Sequence, residues 1–347
     1  MRRAWLAAMI AAVAIFLGIA PARAQNAYIT NQRDNTVSVI DTARIKVIRT
    51  IPVGSRPEGV AVTPDGSQVY VTNQSGNTVS VIDTDTNLVT ATISVGVGPS
   101  GVAANPNGGQ VYVANGLDDT VSVIATAINT VIDTVPVGRQ PLGVAVTPDG
   151  SNVYVANSSN GTVSVIATAT NTVTATIPVD IDSFPRGVAV TPDGSQVYVA
   201  NEFQNSVSVI ATATNTVTAT IPVGRNPFGV AVTPDGSEVF VTNQNDNSVS
   251  VIATALTNMV TATIPVANVP QGVAVTPDGS NVYVANFCGL RENCTTNGTV
   301  SVIDTASNTA NATVAVGLGP TAFGLFIGPP RTAAGSTSRT IRIAPSR

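Results

Sequence analysis

The 347-residue chain is 44% hydrophobic but only 4% aromatic and 10% charged, so its core has to be built from valine, alanine and other small side chains. It contains no histidine, which excludes a Ser-His-Asp triad, a His-ligated metal and a CxxCH haem site. A formal charge of −4 gives no general attraction for polyanions.

In chain order, residues 1–24 read as a secretory signal peptide. Arg2 and Arg3 precede an apolar run from Ala4 to Ala20, and Ala22-Arg23-Ala24 forms an A-x-A cleavage site. The Arg2-Arg3 pair also fits twin-arginine export, with Sec export as the simpler alternative. Turn residues interrupt every later apolar run before the roughly 20 residues needed to span a bilayer. The expected product is an exported protein without a transmembrane segment, in the periplasm or at the extracellular surface, with a formal charge of −7.

From residue 27 the chain repeats. An aromatic-Val/Ile-Thr/Ala-Asn tetrapeptide begins at Tyr28, Tyr70, Tyr112, Tyr154, Tyr198, Phe240 and Tyr283, at spacings of 42, 42, 42, 44, 42 and 43 residues. Each period holds four alternating apolar segments, such as Gly59–Val62, Gln68–Thr72, Thr78–Ile82 and Leu88–Ile93. Pro-Asp-Gly turns, Asn-rich loops and Gly/Pro crossovers separate them. Four antiparallel strands per period of about 42 residues predict an all-β, seven-bladed propeller over residues 25–329. The first tetrapeptide has no inner strand before it, and the apolar segment Ala322–Ile327 has no second strand after it. Blade 1 should therefore combine three N-terminal strands with this C-terminal strand. Residues 330–347 follow as a basic, flexible tail carrying Arg331, Arg339, Arg342 and Arg347.

The tetrapeptides, the VSVIDT/VSVIAT and TNTVTATIPVG segments, PxGVAVTPDGS and the closing AFGLFIGP resemble the YVTN-repeat seven-bladed propellers of surface-layer proteins and secreted bacterial relatives. The resemblance implies the fold across residues 27–329. For function it implies a choice among surface and adhesion modules, a periplasmic single-stranded-DNA-binding propeller and lactonase-like enzymes.

The repeated polar residues read as scaffold. The seven motif asparagines (31, 73, 115, 157, 201, 243 and 286) are expected to satisfy loop backbone groups. The aspartates of the Pro-Asp-Gly turns are expected to shape hairpins. Asp83-x-Asp85-x-Asn87 departs from a calcium loop at Leu88 and Ser94, so no metal is assigned. Cys288 and Cys294, in a long insertion of an exported chain, are expected to form a disulfide.

Departures from the repeat point to function. Arg56, Arg139, Arg186 and Arg225 each lie within two residues of a crossover proline, and the insertions at Asp180–Phe184 and Phe287–Thr296 belong to the same face. Guanidinium groups there suit a small anion or a partner carboxylate. The expected function is non-enzymatic binding of a protein or cell-envelope polymer through this face, with no catalytic residue and no cofactor. Nucleic acid is not an expected partner, and the protein is expected to be a monomer unless it joins a surface array. A lactonase-like enzyme is the alternative, with single-stranded-DNA binding beside it.

Overall fold

The computed structural model describes residues 25–179, 182–254, 258–289 and 296–329. The signal segment and basic tail inferred from the sequence lie outside them.

Seven antiparallel sheets follow one another along the chain. Blade 1 contains β1 (Asn26–Asn31), β2 (Thr36–Asp41) and β3 (Lys46–Pro52). Blade 2 contains β4 (Pro57–Val62), β5 (Gln68–Asn73), β6 (Thr78–Asp83) and β7 (Leu88–Ser94). The same four-strand order gives blade 3 from β8 (Pro99–Ala104) to β11 (Thr130–Pro136) and blade 4 from β12 (Pro141–Val146) to β15 (Thr172–Pro178). It continues in blade 5 from β16 (Pro185–Val190) to β19 (Thr216–Pro222), blade 6 from β20 (Pro227–Val232) to β23 (Met259–Pro265), and blade 7 from β24 (Asn268–Val275) to β27 (Thr309–Ala315). Among the described residues, no helix is long and apolar enough to cross a membrane.

The middle strands are apolar on both sides because each blade is sandwiched between two neighbours. Tyr70, Val79 and Val81 of blade 2 pack against Val102, Val111, Val113 and Ile124 of blade 3, and equivalent clusters recur around the ring. The motif aromatics are the largest buried side chains. Their hydroxyls also tie blades together: Tyr70 Oη donates to Asn129 Oδ1 at 2.7 Å, and Tyr154 Oη to Asn215 Oδ1 at 2.8 Å. Burial pushes the phenols of Tyr70, Tyr198 and Tyr283 up to about 12, so they stay protonated donors at neutral pH. The wedge shape of a blade requires inner strands to approach closely, and glycine permits it. A Cβ on Gly101 would lie 2.1 Å from Leu142 O, and one on Gly143 would lie 2.0 Å from Arg186 O.

The ring closes as the sequence implied. Tyr28 N–H donates to Phe326 O at 2.9 Å and Thr321 N–H donates to Thr30 O at 3.0 Å. On its other side Val60 N–H donates to Phe323 O at 2.9 Å. The terminal segment makes isolated bridges rather than a regular strand, with Gly324 at φ +117° between them. Phe326 and Ile327 are nonetheless buried in the core shared by blades 7, 1 and 2.

Two local expectations need correction. The motif asparagines are buried and donate to hydroxyls of the next strand, as Asn73 Nδ2 does to Thr78 Oγ1 and Ser80 Oγ, both at 3.0 Å; the expected loop-backbone contact is made by Asn31, whose Oδ1 accepts from Gly317 N–H at 3.0 Å, and not by the other six. Pairing of Asn73 with Thr78 and Val71 with Ser80 places those hydroxyls beside the amide. The backbone role belongs to residues four positions later: Asn35 Oδ1 accepts from Arg56 N–H at 2.9 Å, and Asn77 Oδ1 from Gly98 N–H at 3.0 Å. The second correction concerns Phe287 and Cys288. They continue β25 (Asn281–Gly289), whose last residue pairs with Asn268, instead of starting a loop. Cys288 is buried there, while Cys294 and its expected bonding lie outside the described residues.

Candidate functional site

The inner strands run parallel around the central channel, with their prolines at one end and the Pro-Asp-Gly turns at the other. The crossovers meet the second-to-third-strand loops at the proline end: Gln74 N–H donates to Arg56 O at 2.9 Å, Ser159 N–H to Arg139 O at 3.2 Å, and Asn245 N–H to Arg225 O at 3.2 Å. All four candidate arginines are therefore on this face, but they are not equivalent.

Arg186 follows Pro185 within β16, so its side chain belongs to the channel mouth. Its guanidinium carbon is 5.4 Å from the Phe228 ring centroid, and Nε is 2.5 Å from Glu202 Oε2. Arg225 is drawn outward instead, with Nε 2.6 Å from Asp246 Oδ1 and its backbone N–H donating to Asp246 Oδ2 at 2.7 Å. These hydrogen bonds hold the Asp246 carboxyl below its ordinary range. With Arg225 69% exposed, solvent screening limits the pair to about 0–1 kcal/mol. Arg56 and Arg139 are exposed crossover residues, and Arg139 N–H donates to Asn160 Oδ1.

The residue after each inner-strand proline varies around the ring: Glu58, Ser100, Leu142, Arg186, Phe228, Gln271 and, in the terminal segment, Thr321. This variable position and Phe323 of the terminal segment contribute to the mouth. Leu142, Phe228 and Phe323 are nearly buried, and the Phe228 and Phe323 rings meet edge to face at 5.1 Å. Apolar side chains thus close this end of the channel, above a cavity of about 20 Å³ bordered by Gly101, Gly143, Gly187 and Gly229.

Glu58 lies beside this plug at 7% exposure. Ser100 Oγ donates to its Oε1 at 2.9 Å, while Oε2 is buried without a hydrogen-bond partner. Burial pushes the Glu58 carboxyl up; the Ser100 bond and the charges of Arg186 and Arg56 oppose that shift. Glu58 was readable only as one of several acids on the face. Its desolvation needed the three-dimensional ring to be seen. Among the described residues, no three His, Cys, Asp or Glu side chains gather closely enough to hold a metal ion.

Exposed apolar side chains lie on the same face. Leu117 is 73% exposed and Phe203 56% exposed, both on second-to-third-strand loops. Phe203 packs against Phe184, at the end of the blade 4–5 insertion, with ring centroids 4.4 Å apart and planes tilted by 42°. The face combines guanidinium groups, a desolvated carboxyl and protruding hydrophobes.

The sequence model of the YNCE-like beta-propeller family matches residues 7–108 and 100–193, and that of the seven-bladed beta-propeller lactonases matches residues 172–277. No curated protein matches the chain. Among solved structures, Kuenenia stuttgartiensis hydrazine synthase is similar at 26% identity and TM-score 0.71, covering 80% of this chain and 92% of that one. A functionally unknown protein from Desulfotomaculum acetoxidans DSM 771 shares 20% identity with TM-score 0.74, over 88% of this chain and 99% of that one. The dihydro-heme d1 dehydrogenase NirN, solved in complex with DHE, shares 15% identity with TM-score 0.63, over 85% of this chain and 74% of that one. The latter two likenesses bear on fold alone. With both the repeat architecture and the family match spanning more than half its length, the chain belongs to the YNCE-like beta-propeller family.

Proposed function

We propose that this protein is an exported, non-enzymatic propeller of the YVTN-repeat type that binds a protein or envelope-polymer partner through its crossover face. The observation that carries this reading is the pairing of Arg186 on Phe228 on the same face as the exposed hydrophobes Leu117 and Phe203. Aromatic and arginine side chains are the residues that dominate protein interfaces. A partner carboxylate would meet Arg186 in exchange for Glu202, with Arg56 and Arg139 contributing at longer range and Arg225 after release from Asp246. Cys288 and Cys294 would brace the adjoining insertion as a disulfide. The test is partner retention by an Arg139→Ala/Arg186→Ala variant in the envelope fraction, expected to fall at least tenfold with the fold intact. Unchanged retention would remove the arginines from the site.

The lactonase match over residues 172–277 favours a second reading, an enzyme acting on a lactone. Hydrolysis of a simple lactone, abolished by Glu58→Gln, would establish it in place of the first.

A further inference from the structure

The end of the channel opposite the candidate face is open. There the inner strands enclose an apolar funnel of about 440 Å³, within the range of ligand pockets. Val62, Val146, Val190, Val232, Val275 and Leu325 contribute to its wall, and turn prolines form its rim. Leu325 is 58% exposed inside it, although its neighbours Phe326 and Ile327 are buried.

The rim is acidic. Rim prolines Pro64, Pro148, Pro192 and Pro234 are followed directly by Asp65, Asp149, Asp193 and Asp235. Thr233 and Pro234 also border a neighbouring groove of about 340 Å³, where Asp235, Glu238 and Asp278 are gathered between blades 6 and 7. An occupant complementary to both parts must be apolar at its centre and cationic around it.

This chain carries such a segment next to the funnel. Pro329, the last described residue, itself lines the funnel, and residues 330–347 continue from it. That stretch has four arginines and no acid, and Arg339-Thr-Ile341-Arg-Ile343 alternates apolar and polar side chains. The twelve residues from Pro329 to Ile341 reach up to about 40 Å, which leaves ample slack for return.

We propose that the funnel is occupied by this chain's own C-terminal segment, with Ile341 and Ile343 inside it and Arg339 and Arg342 against the aspartate rim. Tethering gives the segment an effective concentration on the order of 1 mM, so an intrinsic dissociation constant of about 0.1 mM fills the funnel roughly tenfold over the empty state.

Disulfide trapping in the full chain tests this. Leu325→Cys combined with Ile341→Cys should cross-link under mild oxidation, read by mass spectrometry, whereas Leu117→Cys on the opposite face combined with Ile341→Cys should not. Adding Ile343→Asp, or Asp235→Asn with Asp278→Asn, should slow the Leu325→Cys link at least tenfold. Equal trapping at both faces, or a link indifferent to Ile343 and the rim, would reduce the contact to random collision and overturn the proposal. No link, together with tight binding of the neutral apolar probe N-phenyl-1-naphthylamine, would assign the funnel to an external ligand and also overturn it.

Discussion

Closure of the ring rests on a short segment whose neighbouring side chains have opposite fates, which permits a controlled perturbation. Phe326 is fully buried and belongs to the core joining blades 7, 1 and 2, while Leu325, one residue earlier, is 58% exposed. Phe326→Ala removes a large aromatic from a close-packed site and leaves a cavity, a change that costs about 3–5 kcal/mol. Against a total folding stability of about 5–15 kcal/mol this is a large fraction. Leu325→Ala changes a side chain of the funnel wall outside the buried core and should stay within about 0.5 kcal/mol. The only tryptophan, Trp5, lies outside the described residues, so urea unfolding of the propeller is best followed by far-UV circular dichroism. Phe326→Ala should lower the urea midpoint strongly and Leu325→Ala hardly at all. Equal midpoints for the two variants would show that the terminal segment is not a structural part of blade 1.

Glu58→Gln preserves the acceptor for Ser100 but removes a carboxyl whose affinity for protons is raised by burial. Its native-state penalty is absent below the ordinary carboxylate range and grows as pH rises through it, so the variant should gain stability over wild type at pH 8 relative to pH 4 in paired denaturation curves. The turn aspartates have the opposite sign. Asp235 is held at about 2 by hydrogen bonds from Thr233 and Ser237, so its contribution is complete above about pH 4 and disappears as pH falls towards 2. Asp235→Asn should therefore flatten acid unfolding in that window. Thiol titration of denatured, exported protein should find no free thiol, because Cys288 and Cys294 are expected to be joined; two reactive thiols would contradict the bridge. Gly143→Ala should disrupt folding, since its Cβ would meet Arg186 O at 2.0 Å, and a soluble variant with wild-type stability would show that the inner strands can part.

The blades were legible because burial on both faces imposes an apolar-aromatic-apolar run in every copy, and because the turns repeat Pro-Asp-Gly chemistry, with Asn107 as the one exception. The channel mouth was less legible. Its plug comes from Phe228 and Phe323, residues far apart in sequence that meet only when the ring closes. The available signal was variation at the position after the inner-strand proline, where Glu58, Ser100, Leu142, Arg186, Phe228 and Gln271 replace one another. Spacing placed the four arginines on one face but not their partners. Asp246 turns Arg225 outward, whereas Phe228 and Glu202 hold Arg186 at the centre. The asparagine roles were exchanged because side-chain capping and hydroxyl pairing leave the same Asn in the sequence. Strand register distinguishes them.

Partner binding through the crossover face is tested most directly by site-specific photo-crosslinking in the native envelope. A photoreactive residue at Leu117 or Arg139 samples that face, and one at Ile128 samples the opposite side. The same discrete adduct should form from Leu117 and Arg139, disappear when Arg186→Ala is added to the Leu117 probe, and be absent from Ile128. A discrete adduct from Ile128 alone, or crossover-face adducts indifferent to Arg186, would contradict binding through this site.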